Sequence, residues 1–321
     1  MNKDDYSKAM NELKSSEDFN IRTARRMKDV RQRRDGSAMN LKKAAFVFAG
    51  AAVIITAGAF AIINSNLLQV GNNIIDGNKN SITVPQVTLP NASTGIKAKM
   101  MPLLVYQGRV YLRYNTAIVT TDGYTVSEDD MRSLRGDYLG MTKSGINEFS
   151  GKEDYTEDFA SNIGESEVYT VKGYDSKYRL MVYTKYEGGF GCEIYDSFGG
   201  LSLSSGVDFF NLLNLRGNVA SYEWENLDSW NNGGSGKAQA AVDDTFNDFL
   251  DQLYDAVPVE GSLDWLIENT ESDSQKFLYL QTKDHLVTTL RLLKDGFVYV
   301  PEVGFFQVDK ESFDAFYTNL Q

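Results

Sequence analysis

The feature that most constrains this chain is an uncharged stretch of twenty residues, AAFVFAGAAVIITAGAFAII, at Ala44–Ile63. As a helix with a rise of about 1.5 Å per residue it would extend roughly 30 Å, the thickness of a bilayer's hydrocarbon core. A helix also satisfies its own backbone hydrogen bonds in lipid. The alternative is a buried helix of a large domain, but such helices seldom stay apolar on every face for this length. The stretch is therefore predicted to be a transmembrane helix.

Charged residues are divided unequally around this segment. Residues 1–43 contain 12 Lys and Arg against 7 Asp and Glu, a net charge of +5. Residues 64–321 contain 20 against 37, a net charge of −17, and the first cation after the segment is Lys79. The cations that precede the segment are Arg31, Arg33, Arg34, Lys42 and Lys43. The positive-inside rule predicts a single-pass plasma membrane protein with a cytoplasmic N-terminus and an extracytoplasmic C-terminal region.

Small residues repeat along one face of the predicted transmembrane helix. They occur at intervals of four and eight residues, at Ala45, Ala49, Ala57 and Ala61. Small residues at such spacing let two helices approach closely in lipid. This face is a candidate homodimer contact. The segment is unlike a cleaved signal peptide, because 43 residues precede it and such peptides begin with a short charged region.

The basic arm, residues 1–43, is predicted to form two short amphipathic helices at about 3–15 and 19–34. Helices of this length cannot form a core by themselves, so their apolar faces need a partner protein or the lipid surface. Plain disorder is the third alternative. The candidate partner-binding residues are Tyr6, Met10, Leu13, Phe19, Ile21 and Met27.

The remaining residues are predicted to form an Asn-rich linker at 64–99 and a folded region at 100–321. Strand-like runs rich in aromatic and β-branched residues alternate irregularly with a few helices, without repeated βαβ units. The fold class is therefore α+β, with mainly antiparallel sheet and a few helices. The loop at 230–238, WNNGGSGKA, is a candidate boundary between two subdomains.

Local patterns predict individual elements of the folded region. Gln107–Gly108 and the Lys294–Asp295–Gly296 sequence are placed in hairpin turns, since Asp–Gly tolerates positive φ angles. The stretch 241–257 carries apolar residues at helical spacing, from Val242 to Val257. A last helix is predicted near 310–320.

The single cysteine and single histidine exclude several kinds of site. Cys192 alone cannot form an internal disulfide and is predicted to be a small core residue on a strand. His285 alone excludes a His-rich metal site and a zinc cluster of Cys and His, and is predicted to be a surface or turn residue. The sequence predicts no catalytic, cofactor or metal residues, although a site built only of carboxylates stays open.

The partner of the acidic region is not predicted to be nucleic acid, because a net charge of −17 repels phosphates. The chain's 18 Tyr and 18 Phe fall largely in predicted strands, where aromatic sheets can bind ligands or simply form cross-strand pairs. The folded region is therefore interpreted as a binding or interaction module.

Several phrases resemble a family of single-pass, anti-sigma-factor-like membrane proteins of Gram-positive bacteria. The N-terminal phrase is YSKAMNELKSSEDFNIRTARRM, at 6–27. The phrases of the folded region are LVYQGRVY at 104–111, GDYLGMTKSGINEF at 136–149, VYTVKGYDSKYRLMVY at 168–183 and LRLLKDGFVYV at 290–300.

The resemblance implies an inner arm that binds a sigma factor and an outer domain that senses envelope conditions. Residues 1–43 contain neither His nor Cys, so the zinc-type anti-sigma domain is absent. The alternatives are an anchored extracytoplasmic binding or structural domain without a sigma partner, and an ectoenzyme.

Overall fold

The computed structural model describes most of the predicted folded region and a short preceding segment. The described ranges are 81–87, 101–113, 116–118, 127–147, 149–232, 236–261 and 275–320. The predicted arm and transmembrane helix lie outside these ranges, as does most of the linker. None of the helices in this part of the chain has both the length and the apolarity that a membrane crossing requires.

Strands dominate the described residues, and all but one of the strand pairs among them are antiparallel. The strands up to residue 203 are β1 (Ile82–Thr83), β2 (Leu103–Tyr106), β3 (Arg109–Leu112), β4 (Thr116–Ile118), β5 (Arg135–Met141), β6 (Lys143–Ser144), β7 (Ala160–Ser161), β8 (Glu167–Val171), β9 (Arg179–Tyr186), β10 (Gly189–Asp196) and β11 (Ser202–Leu203). The later strands are β12 (Val219–Asn226), β13 (Ala238–Ala241), β14 (Val257–Val259), β15 (Gln275–Thr282), β16 (Leu286–Leu293), β17 (Phe297–Val300) and β18 (Gly304–Gln307).

Five α-helices accompany these strands in the described residues. They are α1 (Glu128–Leu134), α2 (Val207–Phe210), α3 (Leu227–Asn231), α4 (Asp244–Asp255) and α5 (Lys310–Asn319). Short 3₁₀ helices lie at Lys152–Tyr155, Asn211–Leu213 and Lys294–Gly296. The predicted α+β class with mainly antiparallel sheet and few helices is confirmed for this part of the chain.

The strands form two large sheets and one small pair. The first sheet has the order β5-β8-β9-β10-β3-β2-β7-β6, and the second has the order β13-β12-β15-β16-β17-β18-β14. Strand β4 follows the first-sheet strand β3 in sequence but pairs with the beginning of β16, so it joins the two sheets. Strands β1 and β11 form the separate pair.

The main core lies between the second sheet and the helices α4 and α5. Alternate residues of β15 and β16, such as Leu278 and Leu290, point into this core and are fully buried. The ring of Phe249 in α4 stacks on Phe316 in α5 with centroids 4.4 Å apart. Because each buried aromatic or aliphatic side chain contributes about 1.5–3 kcal/mol, this layer is the main stabilising element of the second sheet.

Most local sequence predictions are confirmed. Gln107 and Gly108 have φ angles of 49° and 70° in the β2–β3 turn, and Asp295 and Gly296 have φ angles of 67° and 83° between β16 and β17. The last predicted helix is α5.

The predicted helix at 241–257 is shorter than its apolar pattern. It begins after Asp243, whose side chain accepts a hydrogen bond from the Phe246 amide and so caps the helix. Val257 lies outside it, in β14, because the following Pro258 disfavours a helical conformation at the preceding residue.

The loop near 230–238 does not separate the two sheets. It connects β12 to β13, which are neighbouring strands of the second sheet and pair from Trp224 opposite Ala238. Apart from β4, the chain passes from the first sheet to the second between Asp196 and Val219.

Candidate functional site

The partner-binding, topology and dimer residues predicted from sequence lie outside the described residues and stay predictions. They are Tyr6, Met10, Leu13, Phe19, Ile21, Met27, Arg31, Arg33, Arg34, Lys42, Lys43, Ala45, Ala49, Ala57 and Ala61. The candidate site described below is built from other residues.

The second sheet has one face toward the helices and one face that carries aromatic and charged side chains. In β15, Leu278 belongs to the main core, so the alternating neighbours Phe277 and Tyr279 lie on the opposite face. In β16 and β17 the same alternation places Arg291 and Tyr299 on that face. We call Phe277, Tyr279, Arg291 and Tyr299 the aromatic face.

Strand register brings the members of the aromatic face together. Arg291 is directly opposite Phe277 on β15 and Tyr299 on β17. Directly opposite residues of antiparallel strands have Cβ atoms about 4.5–5.5 Å apart. Arg291 is therefore held between two aromatic residues by backbone pairing alone.

Helix α3 adds an indole to this group. Asn226, the last residue of β12, caps α3 by accepting a hydrogen bond of 2.8 Å from the Ser229 amide. This turn places the ring of Trp230 parallel to Phe277, with 4.7 Å between ring centroids and 2° between ring planes. One face of the indole is thereby covered by Phe277.

The guanidinium of Arg291 lies near three aromatic rings of the described residues. Its Cζ lies 4.7 Å from the ring centroid of Phe277, 5.8 Å from that of Tyr299 and 5.9 Å from that of Trp230. Its Nε is buried and has no hydrogen-bond partner, and the described residues offer it no ion pair. Burial lowers the pKa of Arg291, the direction expected for a charge without a compensating carboxylate.

Glu225 lies in β12 of the same sheet, but its carboxylate already accepts hydrogen bonds from two hydroxyl groups. It is 2% exposed, and its two oxygens accept hydrogen bonds of 2.6 Å from the Tyr279 hydroxyl and 2.7 Å from the Ser229 hydroxyl. Burial, followed by the bond to Glu225, raises the pKa of Tyr279. Both carboxylate oxygens are thus satisfied without the guanidinium of Arg291.

Arg179 in the first sheet is fully buried and has carboxylate and hydroxyl partners, although its Nη1, like Nε of Arg291, is buried without a hydrogen-bond partner. Arg179 and Asp196 are paired in the β9–β10 ladder and are 2% and 3% exposed. Arg179 Nε donates to Asp196 Oδ1 at 2.7 Å, and Nη2 donates to Thr116 Oγ1 at 2.7 Å. Thr116 in turn donates to Asp196 Oδ2 at 2.6 Å. Burial, the largest single effect, lowers the pKa of Arg179, but the attraction and hydrogen bond of Asp196, together with Tyr174 and Asp284, raise it overall.

Two further residues extend this arrangement to the second sheet. The ring of Tyr174 lies 4.6 Å from Arg179 Cζ, and its hydroxyl donates to Asp284 at 2.8 Å. Asp284 belongs to the turn between β15 and β16 and also accepts a hydrogen bond from Thr282. Burial, followed by repulsion from Asp284, raises the pKa of Tyr174. We call Arg179, Asp196, Thr116, Tyr174 and Asp284 the inter-sheet network.

His285 lies in a turn, as predicted, with a φ angle of 67°. Its Nε2 is 3.7 Å from Asp130 Oδ1, and the Ser127 hydroxyl donates to Asp130 Oδ2 at 2.6 Å. The order is therefore serine, carboxylate, imidazole, whereas an activated serine needs the imidazole next to its hydroxyl. Ser127 and Asp130 form the capping box of α1 instead.

Cys192 lies on β10 and packs against a buried cluster that includes Met181 and Ile194, which confirms its predicted position on a strand. Burial raises the pKa of its thiol to about 12, so the thiolate is scarce at neutral pH. The described residues contain no group of three or more His, Cys, Asp or Glu side chains that could hold a metal ion.

The sequence predicts the aromatic strands, but Arg291 and Glu225 were not among its predicted site residues. A signal was present, because Arg291 is the one charged residue of the strand LVTTLRLL and shares its alternation with the aromatic positions. The alternation of residues along a strand could not show that the carboxylate of Glu225 accepts hydrogen bonds from hydroxyl groups.

Comparison with known proteins gives no match to a family model, to a curated protein or to a solved structure.

Proposed function

We propose that this chain is a membrane-anchored, anti-sigma-factor-like regulator. In this proposal the inner arm at 1–43 binds a sigma factor, and the folded region outside the membrane binds a ligand that reports on envelope conditions. The observation that carries the proposal is the twenty-residue uncharged segment between a basic arm of net charge +5 and an acidic region of net charge −17.

The folded region supports a binding role through the aromatic face. The guanidinium of Arg291 is partly buried beside aromatic rings and has no carboxylate partner among the described residues. Its N–H groups can therefore still donate hydrogen bonds to a bound anion. The likeness of the N-terminal phrase to the anti-sigma-factor-like family supports the role of the arm. The evidence from the aromatic face and the evidence from the N-terminal phrase are independent of each other.

The membrane topology is tested first. We expect the full-length chain to stay with membranes during alkaline carbonate extraction. We also expect added protease to degrade residues 64–321 in unbroken cells while residues 1–43 are protected. Release by carbonate, or a C-terminal region that is protected in intact cells and cleaved after lysis, would contradict the proposal.

The sigma partner is tested by co-purification of the full-length protein. We expect a sigma factor to be recovered, and recovery to fall at least about tenfold in Leu13→Asp, because a charge then replaces an apolar contact. Asn11→Asp is the matched control, since it adds the same charge on the opposite side of the predicted helix. Equal recovery in both variants would contradict an apolar binding face.

The second candidate is an anchored binding or structural domain whose arm only contacts lipid. The basic residues between Arg22 and Arg34 favour it, because a basic amphipathic helix binds anionic membrane surfaces. Under this candidate no sigma factor is recovered. Residues 1–43 then bind anionic vesicles and are released by salt.

A further inference from the structure

We infer that Arg291 and the rings around it form a binding site for a carboxylate that is attached to a flat apolar group. This inference rests on the proposed binding role of the folded region and is independent of the sigma partner. It concerns a small ligand rather than a macromolecule. Three properties favour such a ligand: the unpaired charge, the neighbouring rings and the charge of the whole region.

The unpaired charge shows that the site takes an anion. The side chain of Arg291 has no ion pair or hydrogen bond with the described residues, while the carboxylate of Glu225 in the same sheet already accepts two hydroxyl donors. Of its nitrogens, only Nε is both buried and unpartnered. An incoming oxyanion would therefore meet the terminal nitrogens, which offer two parallel donors to the two oxygens of a carboxylate.

The rings define the rest of the ligand. Trp230 presents one indole face to Phe277 and is itself only partly buried. Tyr299 lies on the other side of Arg291 and is also only partly buried. A flat apolar group attached to the carboxylate could pack against these rings, since offset aromatic pairs are favourable beyond their buried area.

The charge of the region favours a carboxylate over a phosphate. Residues 64–321 carry a net charge of −17, which repels anions in proportion to their own charge. A monocarboxylate carries half the charge of a phosphate dianion, and its planar shape matches the guanidinium. This field is screened beyond about 10 Å at 0.1 M salt, so the local guanidinium still attracts a small anion.

Arg216 provides a matched control within the same structure. Its Cζ lies 4.1 Å from the ring centroid of Tyr254, so it is also an arginine over an aromatic ring. Unlike Arg291, it already forms an ion pair of 2.9 Å with Asp251. An anion site that depends on an unpaired guanidinium should therefore involve Arg291 and not Arg216.

The experiment is a titration of the full-length protein in neutral detergent at pH 7, followed by ligand-observed NMR. The probes are benzoate, its neutral counterpart benzamide, acetate, and inorganic phosphate. We expect saturable binding of benzoate, with benzamide and acetate each at least about tenfold weaker. Phosphate is expected to bind more weakly than benzoate.

Variants locate the binding. Arg291→Met is expected to abolish benzoate binding, and Arg291→Lys to weaken it several-fold because lysine lacks the two-donor fork. Arg216→Met should bind benzoate as the wild type does. Circular dichroism and the urea midpoint check that each variant is folded, and Arg291→Lys keeps the test decisive if Arg291→Met unfolds.

Three results would overturn the inference. They are no saturable benzoate binding by the wild type, equal binding of benzoate and benzamide, and benzoate binding that survives both substitutions of Arg291. Tighter binding of phosphate than of benzoate would refute the preference for a carboxylate. Sigma-factor recovery is measured separately, so failure of this inference and failure of the proposed arm function give different results.

Discussion

Each of the two sheets contains an arginine removed from solvent, fully for Arg179 and partly for Arg291, and the two arginines differ in what surrounds them. Arg179 in the first sheet bonds to Asp196 and Thr116, and the ring of Tyr174 covers its guanidinium. Arg291 in the second sheet has three rings around it and no carboxylate partner among the described residues. The same side chain is thus part of the structure in one sheet and available for binding in the other.

The direction of each pKa shift reflects this difference. The pKa of Arg179 is raised because Asp196, Tyr174 and Asp284 together more than compensate for burial, whereas the pKa of Arg291 is lowered because burial acts with little compensation. Removing one member of a buried ion pair lowers stability strongly, because the other charge is left buried without a partner. A partly buried charge without a partner is instead stabilised when an external anion binds to it. The comparison therefore predicts opposite responses of the two sites to substitution.

The largest expected effect comes from breaking the inter-sheet network. Arg179→Met should lower the free energy of unfolding by about 3–5 kcal/mol, because it leaves Asp196 buried without its cation. Urea denaturation of the full-length protein, followed by near-ultraviolet circular dichroism, measures the loss. Arg216→Met, which breaks an exposed pair, should cost about 1 kcal/mol or less.

A double substitution sharpens this result. Arg179→Met combined with Asp196→Leu removes both charges, so its loss of stability should be smaller than the sum of the two single losses. Additive losses would show that Arg179 and Asp196 act independently. The contrast between a paired arginine in the inter-sheet network and an unpaired arginine on the aromatic face would then fail.

The sequence predicted local structure better than it predicted the surroundings of Arg179 and Arg291. Helix α4 follows from apolar residues at helical spacing such as Phe246, Phe249 and Leu253, and the turn at Asp295–Gly296 follows from residue type. Both depend on neighbours within a few positions.

Sheet membership could not be predicted in the same way. Strand β12 pairs with β15, and more than fifty residues separate Glu225 from its opposite residue Phe277. Only this long-range pairing puts the hydroxyl of Tyr279 on Glu225. The unpaired state of Arg291 is therefore a tertiary property, which alternation along one strand does not contain.

An intermediate effect is expected at alkaline pH on the aromatic face. Burial raises the pKa of Tyr299 from its usual value near 10 to about 12, so the folded state favours its protonated form. This contribution is complete below pH 10 and is lost between about pH 10 and 12, at about 1.4 kcal/mol per pH unit. Tyr299→Phe should make stability fall less steeply with pH in that window. Urea midpoints measured from pH 8 to 12 test this, and parallel curves for both proteins would contradict it.

The smallest expected effect is that of Arg291→Met on stability, and it discriminates most directly between the two environments. The substitution loses cation–π contacts worth about 0.5–2 kcal/mol, but it also removes a partly buried charge that has no carboxylate partner in the described structure. The two terms oppose each other, so the free energy of unfolding should stay within about 1 kcal/mol of the wild type. A loss of 3 kcal/mol or more, equal to that expected for Arg179→Met, would mean that Arg291 is a structural residue. In that case the two arginines would have the same role, and the unpaired guanidinium would no longer indicate a ligand.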